Sequence, residues 1–451
     1  MNAPPVFISG VIEGFYGRPW TPDQRTRLVG WMNGWGLNTY LYAPKDDIKH
    51  RTLWRELYSD EECAALRRLI DDGRRQGVEV VYAIAPGLDI QYATELPALQ
   101  AKLAQVQALG ISTFAVLFDD LPEVMSSSDQ AQFGTFGRAQ AHVANGLWAW
   151  LRARNEAHQL WFCPTIYCGR FANDRVRENR YLLEVGANLA PDIEILWTGP
   201  QIISESIPID SIRELRTVLR RRPLIWDNLH ANDYDLRRLY LGPYSGRPPE
   251  LRAEVRGILS NPNCEFEANF IPLHTLGSYV GAGDDWSPAL ALKQACADWL
   301  PAFAGRGAHP ITPEDVELLV GLFYLPQESG PRVEQWIEDF RFLVSHSPEK
   351  WGGRLERFDQ TCDAVAALFV KITELADREL CFTLYRLMWE AQWELTPMRG
   401  YINWLRTNPP AGARYCPRAD HRPHIYRDGV VARLQRLLPM GDDGSFGTTA
   451  T

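Results

Sequence analysis

Long apolar runs are missing from this sequence. No stretch of about 18 uninterrupted apolar residues occurs, and the opening MNAPPVFISG has no charged n-region leading into a long apolar segment, so neither a membrane span nor a secretory leader is expected. Basic charge is short as well. With 47 Lys and Arg against 56 Asp and Glu the formal net charge is −9, which offers nucleic acid no attractive field and anionic lipid no polybasic tail. Cysteine is sparse, eight in 451 residues with no C-x-x-C pair, which excludes a dense disulfide framework. Cys163, Cys168 and Cys264 lie in or beside apolar runs and read as buried free thiols, so a reducing cytoplasm is the expected home unless a leader has been removed. There is no H-E-x-x-H, no glycine-rich phosphate loop before a helix and no G-x-S-x-G elbow, and GVIEGFYG does not read G-x-G-x-x-G. No metal and no cofactor is expected.

What the sequence does have is STFAVLFDD, Ser112 to Asp120, an apolar run that ends in two adjacent carboxylates. Both alternating faces of Phe114 to Phe118 are apolar, which suits a parallel strand covered on each side. Seven more runs read as strands: Phe7 to Ile12, Asn38 to Ala43, Val78 to Pro86, Gln159 to Tyr167, Ile193 to Gly199, Pro223 to Asn228 and Cys264 to Phe270. Stretches of helical length follow most of them, including Asp60 to Gln76, Leu96 to Leu109 and Gln130 to Glu156. Eight strands alternating with helices predict an α/β chain with a (β/α)8 TIM barrel over residues 1–285.

Beyond about residue 285 the period becomes 3.6. Val365, Leu368, Phe369, Ile372 and Leu375 share one helical face, and Ala289 to Phe303, Val333 to Val344 and Asp377 to Trp393 also read as helices. An α-helical bundle domain is expected over 286–440, with Trp336, Trp389 and Trp393 in its core. The last stretch, 441–451, is small and polar and reads as a mobile tail.

Barrel enzymes gather their chemistry at the C-terminal ends of strands. Polar residues cluster there in this sequence: Lys45 after strand two, Asp119 and Asp120 after strand four, Tyr167 after strand five, WDNLHANDYD after strand seven and Asn269 at the end of strand eight. A mouth with aromatic residues and an acidic pair suggests a sugar hydrolase. Glycosidases normally set two carboxyls across the scissile bond, about 5 to 9.5 Å apart, whereas neighbouring residues have alpha carbons only about 3.8 Å apart and address one side of the sugar. Side-by-side acids suit two adjacent substituents: the leaving oxygen at C1 and an acetamido group at C2. Asp119 would hold the acetamido N–H while its oxygen attacks the anomeric carbon, and Asp120 would protonate the leaving oxygen and then activate water, with retention of configuration.

GVIEGFYGRPW (Gly10 to Trp20), YLYAPKDD (Tyr40 to Asp47), LFDD (Leu117 to Asp120), FCPTIYC (Phe162 to Cys168), LWTGP (Leu196 to Pro200), WDNLHANDYD (Trp226 to Asp235) and NPNCEFEAN (Asn261 to Asn269) resemble glycoside hydrolase family 84, the protein O-GlcNAcases. The motifs stand in family order along the whole barrel region. The resemblance implies that Asp119 orients the acetamido group and Asp120 is the general acid and base. It implies that Gly10, Lys45 and Asn269 contact sugar hydroxyls, that Asp233 binds the far hydroxyls, that Tyr167 and Asn228 line the acetamido end, and that Trp226 and Tyr234 wall the sugar.

There are departures. Ile166 stands where animal members carry an acidic residue, and strand alternation is expected to turn it away from Tyr167. The segment LPEVM after the acids also differs from animal sequences. The chain has no room for the acetyltransferase-like domain of animal members, which implies a compact bacterial form. The expected partner is a protein or peptide bearing N-acetylglucosamine, with no nucleic acid and no membrane, and family members often pair as homodimers through the helical region. Two other readings stand beside this one: hydrolysis of N-acetylglucosamine from glycans or hyaluronan-like material, and a carbohydrate-binding protein without turnover.

Overall fold

The computed structural model describes residues 6–121, 124–417 and 425–447. Eight strands close into an all-parallel barrel: β1 (Ile8–Glu13), β2 (Thr39–Tyr42), β3 (Glu79–Ile84), β4 (Thr113–Leu117), β5 (Gln159–Cys163), β6 (Glu194–Trp197), β7 (Leu224–Asp227) and β8 (Gly257–Ser260), with β8 pairing back onto β1. Burial on both faces is what the apolar runs require, and in β4 every residue is buried. Inward side chains form a packed interior in which Trp161 of β5 shares the core with Ala83, Ala85 and Ala115. One large ring takes the volume that three alanines leave, as a core at crystal-like density demands.

The helices of the barrel portion are α1 (Pro22–Gly34), α2 (Asp60–Arg75), α3 (Leu96–Gln107), α4 (Ser127–Phe133), α5 (Phe136–Arg154), α6 (Arg180–Asn188), α7 (Ile209–Leu219), α8 (Leu251–Glu254) and α9 (Phe270–Gly281). Their starts are written in the sequence: Thr21 with Gln24, and Ser59 with Glu62, make capping boxes at α1 and α2. Strand β1 is tied down at its end. Glu13, fully buried at the end of β1, accepts hydrogen bonds from the Trp20 amide (2.9 Å), from Arg25 Nε (2.9 Å) and Nη2 (2.7 Å), and from the Tyr40 hydroxyl. A buried carboxylate is tolerable only with partners of this kind. The same holds at β7, where the Asp227 and Arg247 side chains are wholly buried together and the Tyr244 hydroxyl completes the set at 2.7 Å.

The structure corrects the expected strand eight. It is Gly257–Ser260, not Cys264 to Phe270, which forms a loop and a 3-10 turn at Phe266–Asn269. The four-residue GILS is too short to show a period, while the Phe, Ala, Phe spacing of the later segment imitates strand alternation. Asn269 therefore does not end a strand. The stretch Gln130 to Glu156 is two helices rather than one, because Gly134 adopts a left-handed φ of 72° and terminates α4.

By contacts the chain divides into two compact units, Met1–Asp233 with Tyr244–Phe266 and Leu273–Pro288, and Tyr234–Pro243 with Glu267–Pro272 and Ala289–Thr451. The second holds α10 (Pro288–Trp299, from Ala289 on), α11 (Pro313–Leu322), α12 (Pro331–Ser345), α13 (Arg354–Thr373), α14 (Arg378–Leu405) and α15 (Val430–Leu437) around a core that includes Trp336, Phe340, Phe358, Val365, Leu368 and Ile372. Trp389 is not core: it is 40% exposed and stacks on Trp393 with centroids 5.6 Å apart. Helix α14 also runs past Trp393 and through Pro397, because Met398, Tyr401, Ile402 and Leu405 continue its buried face. In the expected tail, β10 (Phe446–Gly447) pairs with β9 (Arg414–Tyr415), since buried Phe446 packs its ring on Tyr415 and Tyr401. The eight cysteines are free thiols, and no helix among the described residues is long and apolar enough to cross a membrane.

Candidate active site

Register sets the rim of the barrel. Leu117 of β4 lies opposite Cys163 of β5, and one residue further the Phe118 amide donates to the Cys163 carbonyl at 2.9 Å. The two acids come next. Asp120 takes a left-handed φ of 51°, which aspartate tolerates better than bulkier residues. That turn sends the neighbouring carboxylates to different partners.

Asp119 is 8% exposed and receives the Lys45 ammonium on Oδ2 at 2.5 Å, while its buried Oδ1 has no hydrogen-bond partner among the described residues. Lys45 arrives from the loop after β2, which Asp47 organises by accepting from the Tyr42 and Tyr58 hydroxyls at 2.8 Å each and from the Lys49 amide at 2.9 Å. His50 pins the same loop to β3 through its Nδ1 and the Ala83 carbonyl, 2.7 Å. Burial, reinforced by the nearby Lys45 charge, brings His50 down to about 4, so the ring is neutral near pH 7. For Asp119, burial works against ionisation, but the charge and hydrogen bond of Lys45, with help from Arg51, outweigh it and hold the carboxyl below its usual range. The acid is thus an anion with one oxygen unspent.

A pH test follows from the sign of this balance. In Lys45→Met the main charge and hydrogen bond opposing burial are gone and only the smaller pull of Arg51 and a backbone hydrogen bond is left against it, so the Asp119 carboxyl should rise. The acid-side limb of kcat/KM is expected to move to higher pH, with the alkaline limb in place. A pH–rate profile in which the acid limb does not move would remove Lys45 as the group that keeps Asp119 ionised.

Asp120 faces two phenols. Tyr167, on the loop after β5, donates to Oδ1 at 2.8 Å, and Tyr16, on the loop after β1, donates to Oδ2 at 3.0 Å. Burial first, then the negative Asp120, push the Tyr167 hydroxyl upward, and Tyr16 is raised by burial and Asp120 against the opposing pull of Arg51, so both stay protonated. Asp233, from the loop after β7, accepts the Tyr16 amide at 2.9 Å; burial, with Asp120 adding, lifts its carboxyl above the ordinary value. Trp226 is 5% exposed at the end of β7, with the Lys45 ammonium 5.5 Å from its ring centroid.

The structure thus brings Asp119, Asp120, Lys45, Tyr167, Trp226 and Asp233 to one rim. Asn228 is there too, but its amide braces loops, donating to the Ile202 carbonyl at 2.8 Å and accepting from Asn261 at 3.0 Å. Gly10 lies mid-strand between Thr39 and Leu259, where an added Cβ would fall 1.8 Å from the Thr39 carbonyl; its absence of a side chain serves strand packing. The glycine beside the site's tryptophan is Gly14, whose added Cβ would sit 2.5 Å from the Trp226 ring. Tyr234 and Asn269 fall in the second unit: Tyr234 stacks on Tyr240 with centroids 6.4 Å apart, and Asn269 is buried at the end of its 3-10 turn. Ile166 is in a loop beyond β5, so strand alternation does not govern it, and within LPEVM residues Pro122 and Glu123 lie outside the described residues. Sequence reasoning missed Tyr16 and Arg51, although Tyr16 stands inside GVIEGFYGRPW. Among the described residues no group of three or more His, Cys, Asp or Glu is arranged to hold a metal ion.

The family model for beta-N-acetylglucosaminidase matches residues 9–306. The Protein O-GlcNAcases of Mus musculus and Rattus norvegicus are each 30% identical to this chain over 640 aligned residues, covering 96% of the chain and 69% of the relative. A mutant O-GlcNAc hydrolase of Thermobaculum terrenum superposes with a TM-score of 0.74 at 25% identity, over 88% of this chain and 83% of its own.

Proposed function

The chain belongs to the beta-N-acetylglucosaminidase family, glycoside hydrolase family 84, and from that premise we propose that it is a retaining glycosidase that removes O-linked N-acetylglucosamine from Ser and Thr of proteins, with the substrate's own acetamido group as nucleophile. The observation that carries the mechanism is the split of Asp119 from Asp120. Asp119 is an ionised acceptor with its Oδ1 unpartnered, suited to the acetamido N–H; drawing on that proton makes the carbonyl oxygen more nucleophilic and aims it at C1. As that oxygen bonds to C1, the bond from C1 to the serine or threonine oxygen breaks and Asp120 supplies the proton the departing alkoxide needs. In the second half Asp120 takes a proton from water, whose oxygen adds to C1 and opens the oxazoline. Two inversions at C1 give net retention.

Lys45 and Asp233 stand at the rim to hydrogen-bond sugar hydroxyls, and Trp226 offers an apolar wall. Tyr234, Asn269, Gly10 and Asn228 enter the same reading by resemblance, as do a cytoplasmic home and a homodimer formed through the helices. The deciding experiment compares release of N-acetylglucosamine from an O-glycosylated peptide and from N-acetylglucosamine oligosaccharides under one set of conditions. Preference for the peptide in kcat/KM is expected; turnover confined to oligosaccharides would make the enzyme a glycan hydrolase.

A further inference from the structure

Arg51 is 9% exposed, and its hydrogen bonds among the described residues go to a phenol and a backbone carbonyl. Its Nη1 instead donates to the Tyr16 hydroxyl at 2.5 Å, its guanidinium carbon lies 5.2 Å from the Tyr16 ring centroid, and Nη2 makes a longer contact, 3.5 Å, with the Asp120 carbonyl. A guanidinium can only donate, so the Tyr16 oxygen must accept from it. The one phenolic hydrogen of Tyr16 is then left to point at its other neighbour, Asp120 Oδ2. Tyr167 differs. Its hydroxyl bonds Asp120 Oδ1 with no guanidinium bonded to it among the described residues, so that hydroxyl can turn from donor to acceptor.

From this asymmetry we infer that Arg51 and Tyr16 are a positioning pair for the proton donor: they hold Asp120 Oδ2 as a standing acceptor, and the proton that passes to the leaving oxygen is carried on Oδ1, the Tyr167 side. The inference rests on Asp120 being the general acid of the proposed reaction. It also explains the left-handed backbone of Asp120, because the Arg51 contact to its carbonyl and the Tyr16 contact to its carboxyl grip one residue at both ends. Neither positioning residue needs to touch the sugar for this.

The test is the dependence of kcat/KM on leaving-group acidity across a series of aryl N-acetylglucosaminides. Tyr16→Phe and Arg51→Met are expected to lose about 10- to 100-fold on the least acidic phenols and within about threefold on the most activated, because only the former need the proton. Arg51→Lys, which keeps a donor but not the fork, should recover part of the loss with KM nearly unchanged. The charged or titratable groups around Asp120 are Asp119, Lys45, Arg51, Asp233, Cys163, Tyr16 and Tyr167, so steepening with leaving-group acidity is a cleaner readout than a pH limb. Equal loss across the series, or none, with Asp120→Asn still steepening it, overturns the pair's role and leaves the acid assignment standing. A flat Asp120→Asn series overturns the acid assignment itself. Neutron diffraction at a pH where Asp120 is protonated should find the hydrogen on Oδ1; finding it on Oδ2 refutes the inference even if the variants fold poorly.

Discussion

Asp120→Ala should lose about 10²- to 10⁴-fold in kcat/KM on substrates whose departing oxygen is an alkoxide, the range a positioned general acid contributes. On an aryl sugar with a strongly acidic phenol the same variant should form its intermediate nearly as fast as the parent enzyme, since such a leaving group departs without a proton. Breakdown of the intermediate also uses Asp120, as base, so the intermediate should accumulate in the variant and an added small anion such as azide should restore turnover by intercepting it. Steady-state rates on the two substrate classes, with and without azide, check all three statements. Parallel losses on both substrates would mean that Asp120 shapes the pocket and does not handle the proton.

Removing Asp119 has a different expected signature. Its carboxylate acts on the nucleophile, so Asp119→Ala should slow the first step about 10²- to 10³-fold whatever the leaving group, the size seen when one aimed electrostatic partner is withdrawn from a reacting centre. Azide should not rescue it. The companion substrate change points the same way: a glucoside, with hydroxyl in place of the acetamido group, should be turned over scarcely at all by the parent enzyme. Ready cleavage of plain glucosides, or trapping of a sugar bonded to the polypeptide, would exclude the acetamido group as nucleophile.

Much of the fold is readable in the sequence. The barrel was legible because parallel strands buried on both faces leave unmistakable apolar runs, and TFAVL in β4 is all buried. The acid pair stood out because it interrupts such a run at once. What stayed hidden was of two kinds. Short pieces escape periodicity: GILS in β8 has four residues, and CEFEANF copied its pattern without its pairing. Long-range hydrogen bonds escape any linear reading: Tyr16 meets Arg51 from 35 positions away and Asp120 from 104, and neither separation is visible until the strands close the ring. Trp389 misled for another reason, since an aromatic at helical spacing reads the same whether the helix face is covered or, as here, 40% exposed.

The Trp161 ring that fills the space left by Ala83, Ala85 and Ala115 has a bearing on traffic. A barrel interior filled by such side chains is a packed core and not a pore, so substrate and products are expected to share the mouth formed by the loops after the strands. On the proposed mechanism the freed polypeptide would have to leave by that mouth before water attacks the oxazoline, so a bulky glycosylated loop is expected to slow turnover at its departure as well as at C1.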